Sequence, residues 1–509
     1  MKFRSGLLIG LLLSMLSLSA ENPFNGQDYR GASISYLLMD AASGRVCEAY
    51  QPEKLLSSAS IVKLFSTATA LEVLGPEHRF DTYLFHDGQV RDGVLHGNLW
   101  ILPLGDPSLG SALFYEHPFA FLDEWTAALQ KAGIRQLKGS VRLLDIWADE
   151  QAVSPYWIWE DLGNYYAAGV YSAAVYENAL DLHLHSGAVG SPVALQSMYP
   201  SLPSFQFDVQ VLAANNRKDS AYVYGVPYQA KRRVYGSIPA GRENFRVRAD
   251  NPNPTASLRW LWQEHLLRSG VTIGEVLSFE EGVSNQLPSL FSASLQSGED
   301  ISRTMASLAS QGRLLYHQTS PALSEIIKVT NFKSNNLLTE YLARHAAWHL
   351  GEALPLSAGA SLRSMLDFWA KKGLDISCCS LKDACGLAPQ TAFSPAFLAD
   401  VLRYMCLESA YADVFLSSIP LAGKEGTLRS LAVDVPGALR LKSGSMSGVR
   451  CYAGYYTLPA VSAELAGSAA AEPASPYILV LMINRSHLPT ARLLSDIKSF
   501  LQTQLQPLR

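Results

Sequence analysis

Near the amino end the apolar positions alternate and then run together. Ser33 to Met39 alternates and runs apolar, Asp40-Ala-Ala-Ser-Gly44 turns, and Val46 to Tyr50 returns. That pattern predicts two strands of an antiparallel hairpin. After Ser57-Ser-Ala-Ser-Ile-Val-Lys63, the residues Leu64, Phe65, Ala68, Leu71 and Leu74 recur at helical spacing, and Gly75 stops the run. The spacing predicts a buried helix whose first turn carries Ser60 and Lys63.

From about 80 to 290 the texture changes to short β-like runs punctuated by Gly, Pro and Asp. They include Gly97 to Leu102, Gly139 to Leu144, Ala179 to Leu184, Phe207 to Leu212 and Arg232 to Ile238. Helical patterns interrupt them at Phe119 to Ala132 and Ser257 to Ser269. Beyond 300, helices are expected at Ser320 to Lys328, Ser334 to His349 and Ala358 to Lys372. Strands are then expected at Leu439 to Lys442, Cys451 to Thr457 and Tyr477 to Asn484, before a last helix near Thr490 to Leu505. The Ala/Ser/Pro/Glu stretch from Pro459 to Pro476 lacks large side chains and reads as a solvated loop between two strands. No internal repeat is evident.

Composition narrows the class. The chain has 509 residues, 48% hydrophobic and 17% charged, which allows two or three globular domains. A formal net charge of -4 gives no electrostatic footing for nucleic acid or an anionic membrane surface. Lys2 and Arg4 precede an apolar run from Gly6 to Leu18, with small residues Ser19 and Ala20 behind it. This is the layout of a secretory leader at 1–20, cut after Ser19 or Ala20. The alternative, an uncleaved anchor, needs a run of ~20 apolar residues, longer than this one. No later stretch is apolar enough to span a bilayer, so the mature protein is expected to be exported and to carry no span. Six cysteines, at 47, 378, 379, 385, 406 and 451, permit disulfides in that setting, but spacing does not define a pairing.

Three short motifs carry candidate chemistry. In Ser60-x-x-Lys63, both side chains share one helix face. A serine hydroxyl needs a base to act as a nucleophile, and a lysine serves once burial or nearby cations lower its pKa. In Ser334-Asn335-Asn336, at a helix entrance, the Ser334 hydroxyl can relay a proton and the Asn336 amide can hold a peptide bond. The same residues also suit an ordinary N-cap. Lys442-Ser443-Gly444, ending a strand, places a cation and a hydroxyl beside a glycine that lets a substrate backbone approach. The N–H groups of Ser445 and Ser60 can form an oxyanion hole. Each motif alone has an ordinary structural reading. The histidine pairs His183/His185 and His345/His349 each offer two metal ligands without an evident third, so no metal or organic cofactor is expected.

The order of the three motifs coincides with the Ser-x-x-Lys, Ser-x-Asn, Lys-Thr-Gly set of serine β-lactamases and penicillin-binding proteins. Further stretches extend the match: Leu74-Gly-Pro-Glu-His-Arg-Phe80, Gly93-Val-Leu-His-Gly-Asn-Leu99, Gly105-Asp-Pro-Ser-Leu109, Asp383-Ala-Cys-Gly-Leu387 and Pro420-Leu-Ala-Gly-Lys-Glu-Gly-Thr-Leu428. Together they resemble the class C low-molecular-mass penicillin-binding proteins, the DacB-type D-alanyl-D-alanine carboxypeptidase/endopeptidase family, over nearly the whole mature chain. Two departures stand out: Ser443 replaces the usual threonine, and Asp383-Ala-Cys-Gly-Leu387 replaces Asp-Gly-Ser-Gly-Leu.

The resemblance implies an α/β (α+β) fold: a β-lactamase/transpeptidase-like domain with an antiparallel sheet flanked by helices, split as 21–85 and 290–509, with one or two β-rich domains inserted at 86–289. It implies Ser60 as nucleophile, Lys63 as base, Ser334 and Asn336 in proton relay and substrate placement, and Lys442 with Ser443 in carboxylate binding. Asp161, in Trp157-Ile-Trp-Glu-Asp161, resembles the stretch where the insertion overhangs the cleft, and could bind the free amine of a diamino acid; a surface ion pair or helix cap is the other reading. Peptidoglycan peptides are the implied substrate, β-lactams the implied covalent inhibitors, and the periplasm the implied location. Peripheral attachment to membrane or wall and a homo-oligomeric state stay open. The rival readings are a β-lactamase and a catalytically silent wall-binding scaffold.

Overall fold

The computed structural model describes residues 23–459 and 475–508, except 150, 228, 289–290 and 292–294. The expected leader and most of the expected 459–476 loop lie outside the described residues.

Both ends of the chain meet in one antiparallel sheet. Its strands are β1 (Ser33–Asp40), β2 (Val46–Tyr50), β3 (Ala438–Met446), β4 (Val449–Thr457) and β5 (Tyr477–Asn484), in the order β2-β1-β5-β4-β3. The hairpin expected at 33–50 is present, with Tyr36 opposite Tyr50. Every residue of β5 is buried, because side chains on both faces of this central strand are covered. The period of two sorts them cleanly. Leu37, Met39, Ile478, Val480 and Met482 enter one core, while Ile34, Tyr36, Leu38, Leu479, Leu481 and Ile483 enter the other.

Helices fill both faces. The first core is built by α1 (Val62–Leu74), α2 (Leu323–Lys333), α3 (Asn336–His349), α4 (Ala358–Lys371) and α5 (Pro395–Leu407). The second is closed by α6 (Thr490–Leu505) with Phe24 and Tyr29. All residues of α1 from Val62 to Leu71 are buried, so it shows no polar stripe and runs through the interior. Gly75 ends it at φ 80°, a left-handed position that a Cβ disfavours. The expected helix at 320–328 is shifted to Leu323–Lys333, and the one at 334–349 starts at Asn336.

The residues between α1 and α2 fold on sheets of their own. Asp81–His86, Leu99–Pro103, Val141–Leu144, Val283–Ser284 and Leu314–Thr319 form a mixed five-stranded sheet. Leu314–Thr319 pairs with Asp81–His86, so the strands at the two crossings lie side by side. Two three-stranded sheets follow, one around Ala179–Ser186 and one around Lys231–Pro239. The helices expected at 119–132 and 257–269 are found at Ala120–Lys131 and Pro254–Arg268, joined by a Trp125–Trp262 edge contact at 5.4 Å. Among the described residues, no helix is long and apolar enough to cross a membrane.

Candidate active site

The site forms where α1, α3 and the edge strand β3 meet. Ser60 sits in a 3-10 turn, Ala59–Ile61, that leads into α1, with Ala59 held at φ 44°. A non-glycine residue in that region is strained, and here the strain sets the turn that presents the Ser60 hydroxyl to the cleft. Two glycines seat the turn. A Cβ at Gly444 would lie 2.9 Å from Ser58 O and 3.0 Å from Ser60 N, and one at Gly386 would lie 2.0 Å from Ala59 O. The edge strand and the 383–387 loop therefore press directly on the backbone beside Ser60.

Lys63, fully buried, reaches back one turn. Its Nζ lies 2.9 Å from Ser60 Oγ, 2.7 Å from Asn336 Oδ1 and 2.5 Å from the Cys385 carbonyl. Two of these partners only accept. A neutral lysine would donate both its N–H groups to them and turn its lone pair toward the Ser60 hydroxyl. Burial pushes the Lys63 ammonium below its ordinary value, with Cys385, Asp383 and Glu340 pulling the other way.

Ser334 and Asn336 arrive from the junction of α2 and α3. Ser334 terminates α2 in the left-handed region at φ 55°, and Asn335, not Ser334, caps α3 by accepting from Leu338 N at 2.9 Å. The motif is thus a helix exit, a cap and a helix entrance in three residues. Asn336 donates its Nδ2 to the Tyr166 carbonyl at 2.8 Å while its Oδ1 faces Lys63.

On β3, Lys442 and Gly444 are buried while Ser443 and Ser445 remain accessible. Lys442 donates to Ser334 Oγ at 2.8 Å and to its neighbour's carbonyl, Ser443 O, at 2.7 Å. Burial first, and then the charge of Lys63, push Lys442 well below its ordinary value. The Ser443 hydroxyl shares a 2.7 Å hydrogen bond with Thr427. Ser60, Ser334, Asn336, Ser443, Ser445 and Asp161 all line one cleft of about 1050 Å³.

Asp161 lines the same cleft, contributed by the segment between α1 and α2. Burial raises its carboxyl, and a hydrogen bond from the Tyr166 hydroxyl partly offsets this. Its segment is bolted onto the site: Trp157 Nε1 donates to Asp383 at 2.8 Å, and Ser154 Oγ to Lys382 O at 2.8 Å. Asp383 also accepts from the backbone N–H groups of Gly386, Leu387 and Ala388, and Glu340 accepts from those of Ala384 and Cys385. Among the described residues, Glu340, Asp383 and Cys385 form the one group spaced to share a metal, but these donors already occupy the carboxylates. All six cysteines are unpaired thiols. His183 bonds Asn244, His345 bonds the Gly105 carbonyl and His349 bonds the His345 carbonyl.

Four contributors escaped the sequence reading. The carbonyls of Cys385 and Tyr166 act through backbone atoms that carry no residue signature, although Cys385 lies in a quoted stretch. Thr427 also lies in a quoted stretch, and Glu340 reads as an ordinary polar helix position.

A turn bearing Ser60 that leads into a helix bearing Lys63, set against an antiparallel sheet built from both chain ends, defines the β-lactamase/transpeptidase class of fold, here with inserted domains. The chain belongs to the D-Ala-D-Ala carboxypeptidase 3 (S13) family, which it matches over residues 24–297 and 286–464. It is a serine-type hydrolase of peptidoglycan D-alanyl bonds. It is 26% identical over 466 residues to a D-alanyl-D-alanine carboxypeptidase of Actinomadura sp. (strain R39), covering 86% of this chain and 77% of that one. It is 22% identical over 438 residues to the D-alanyl-D-alanine carboxypeptidase DacB of Haemophilus influenzae, covering 84% and 83%. The crystal structure of penicillin binding protein 4 (dacB) from Haemophilus influenzae superposes with a TM-score of 0.72 at 20% identity, covering 94% and 96% of the two chains.

Proposed function

We propose that Ser60 is the acylated nucleophile of a D-Ala-D-Ala carboxypeptidase and D-alanyl endopeptidase, with Lys63 as its base. The observation that carries this is the buried Lys63 Nζ 2.9 Å from Ser60 Oγ, its other two partners being acceptors only. Ser60 Oγ attacks the scissile carbonyl and its proton passes to Lys63 Nζ. The backbone N–H groups of Ser60 and Ser445 hold the oxyanion. The departing amine takes a proton from Ser334, which recovers one through Lys442, 2.8 Å away. Water then attacks the ester, its proton passing through Ser334 back to Lys442 while Lys63 returns the first proton to Ser60 Oγ, which restores the site.

Asn336 holds the substrate's peptide bond, and Lys442 and Ser443, beside Gly444, receive the terminal carboxylate. Asp161 binds the free amine of a diamino acid in the stem peptide. The Haemophilus influenzae protein has also been crystallised in complex with a novel beta-lactam. β-Lactams are covalent inhibitors of this chain by the same route. We further infer export to the periplasm behind a leader at 1–20, and a catalytic domain of 21–85 and 290–509 interrupted by 86–289. The paired strands at 81–86 and 314–319 share the insertion's own five-stranded sheet, which moves the two crossings to the links between α1 and Asp81 and between Thr319 and α2.

The test is release of D-alanine from a synthetic peptide ending in D-Ala-D-Ala. Wild type releases it and Ser60→Ala loses activity by roughly 10⁶-fold, the scale on which removal of a serine nucleophile acts. Retained activity in the variant would remove Ser60 from the chemistry.

A further inference from the structure

Resting on the peptidoglycan reading, we infer that an aromatic shelf beside the cleft binds the glycan strand of the wall, through its uncharged amino-sugar rings. The shelf is the outer face of the three-stranded sheet formed by Gln206–Ala214, Lys231–Pro239 and Ser220–Tyr224. Strand register sets two rows across it: Asp208, Arg233 and Tyr224, then Gln210, Tyr235 and Tyr222. The inner face carries Val211, Val223 and Val234 into the core. An outer sheet face normally carries charged and small polar side chains. This one carries three tyrosines.

Trp159 extends the shelf. It is 62% exposed, stacks on Tyr224 with ring centroids 6.0 Å apart, and with Tyr235, 61% exposed, borders a hollow of about 560 Å³. Large aromatics left in water in this number mark a binding surface. The hollow's polar fringe is a paired Arg233–Asp208 at 2.9 Å with Gln229 beside it. Arg233 and Asp208 cancel each other and Lys231 leaves one positive charge on the rim, so the aromatic faces, rather than a cluster of cations, define the site. Flat rings flanked by planar amide, guanidinium and carboxylate groups suit a pyranose: its C–H face stacks and its hydroxyls and acetamides take the fringe.

The shelf is continuous with the catalytic cleft. Ile158, Glu160 and Tyr222 line the cleft, while their neighbours Trp159 and Tyr224 line the hollow. A stem peptide lying in the cleft would therefore leave its sugar end at the shelf.

The experiment is calorimetric titration of the full chain with an oligosaccharide of N-acetylglucosamine, the uncharged amino sugar of the strand. Wild type and Ser60→Ala bind alike, Trp159→Ala binds roughly tenfold more weakly, and Trp159→Phe keeps most of the affinity. Absence of binding by wild type, or equal binding by Trp159→Ala, would overturn the assignment. So would a change in sedimentation showing that Trp159→Ala breaks a self-associated form instead. Because no turnover is needed, this result stands apart from the peptidase reading. In kinetics, Trp159→Ala raises KM for a sugar-bearing stem peptide and leaves that for the sugar-free peptide unchanged.

Discussion

At the scale of residues, the site depends on how burial treats two lysines. Lys63 and Lys442 are both pushed below the ordinary lysine range of 10.5 by desolvation, and the charge of Lys63 lowers Lys442 further. For Lys63 the cause is desolvation alone, and it makes the neutral, proton-accepting form available at lower pH than in water. The rate of acylation by a β-lactam is therefore expected to rise with pH along a limb whose midpoint lies below 10.5, the ordinary lysine value. Below that midpoint Lys63 holds its proton and the rate falls. The same depression makes protonation of Lys63 unfavourable to the fold, a penalty complete below the folded pKa and gone above the unfolded one. Stopped-flow acylation across pH checks this; a limb centred at or above 10.5 would deny Lys63 the role of base. Ser60, Lys63, Ser334, Asn336 and Lys442 could be picked out in the sequence as candidates by side-chain chemistry at fixed spacing, and the fold joins Ser60 and Asn336 to Lys63 and Ser334 to Lys442. The Cys385 and Tyr166 carbonyls could not be picked out, since any residue supplies a carbonyl and only the fold aims it.

At the scale of elements, the junction of α2 and α3 carries the second motif. Ser334 at φ 55° turns the chain, and Asn335 then caps α3 so that Asn336 enters the first turn aimed at Lys63. Replacing Asn335 by alanine leaves Leu338 N without its acceptor, and is expected to cost about 1 kcal/mol of stability, with Asn335→Asp close to wild type. Denaturant unfolding followed by circular dichroism reads this; equal stability of Asn335→Ala and wild type would contradict it. Sequence periodicity located the 33–50 hairpin and α1 well, because local spacing determines them. It placed α2 three residues early and did not identify the strand Leu314–Thr319. That strand's polar and apolar residues acquire strand geometry only by pairing with Asp81–His86, far away in the chain. Propensity yields to such tertiary pairing.

At the scale of the whole molecule, the two chain ends build the sheet, and the residues between α1 and α2 build a separate mass that returns to the cleft through one segment. Trp157, donating to Asp383, and Tyr166, accepting from Asn336, tie that segment to the catalytic elements. The insertion is thereby a wall of the active site, bringing Asp161 and the aromatic shelf to the same cleft as Ser60. The long interval between the first and second motifs was visible in sequence; that its middle folds back over the site was legible only through the resemblance at Asp161. The central claim, that Ser60 becomes acylated, is tested most directly by intact mass after incubation with a penicillin, beside Ser60→Ala. The account predicts a persistent gain of one drug mass in wild type and none in the variant. An adduct of equal yield in Ser60→Ala, or no adduct in wild type, would contradict it; in the second case, consumption of the drug would indicate a β-lactamase and an unchanged drug a silent scaffold.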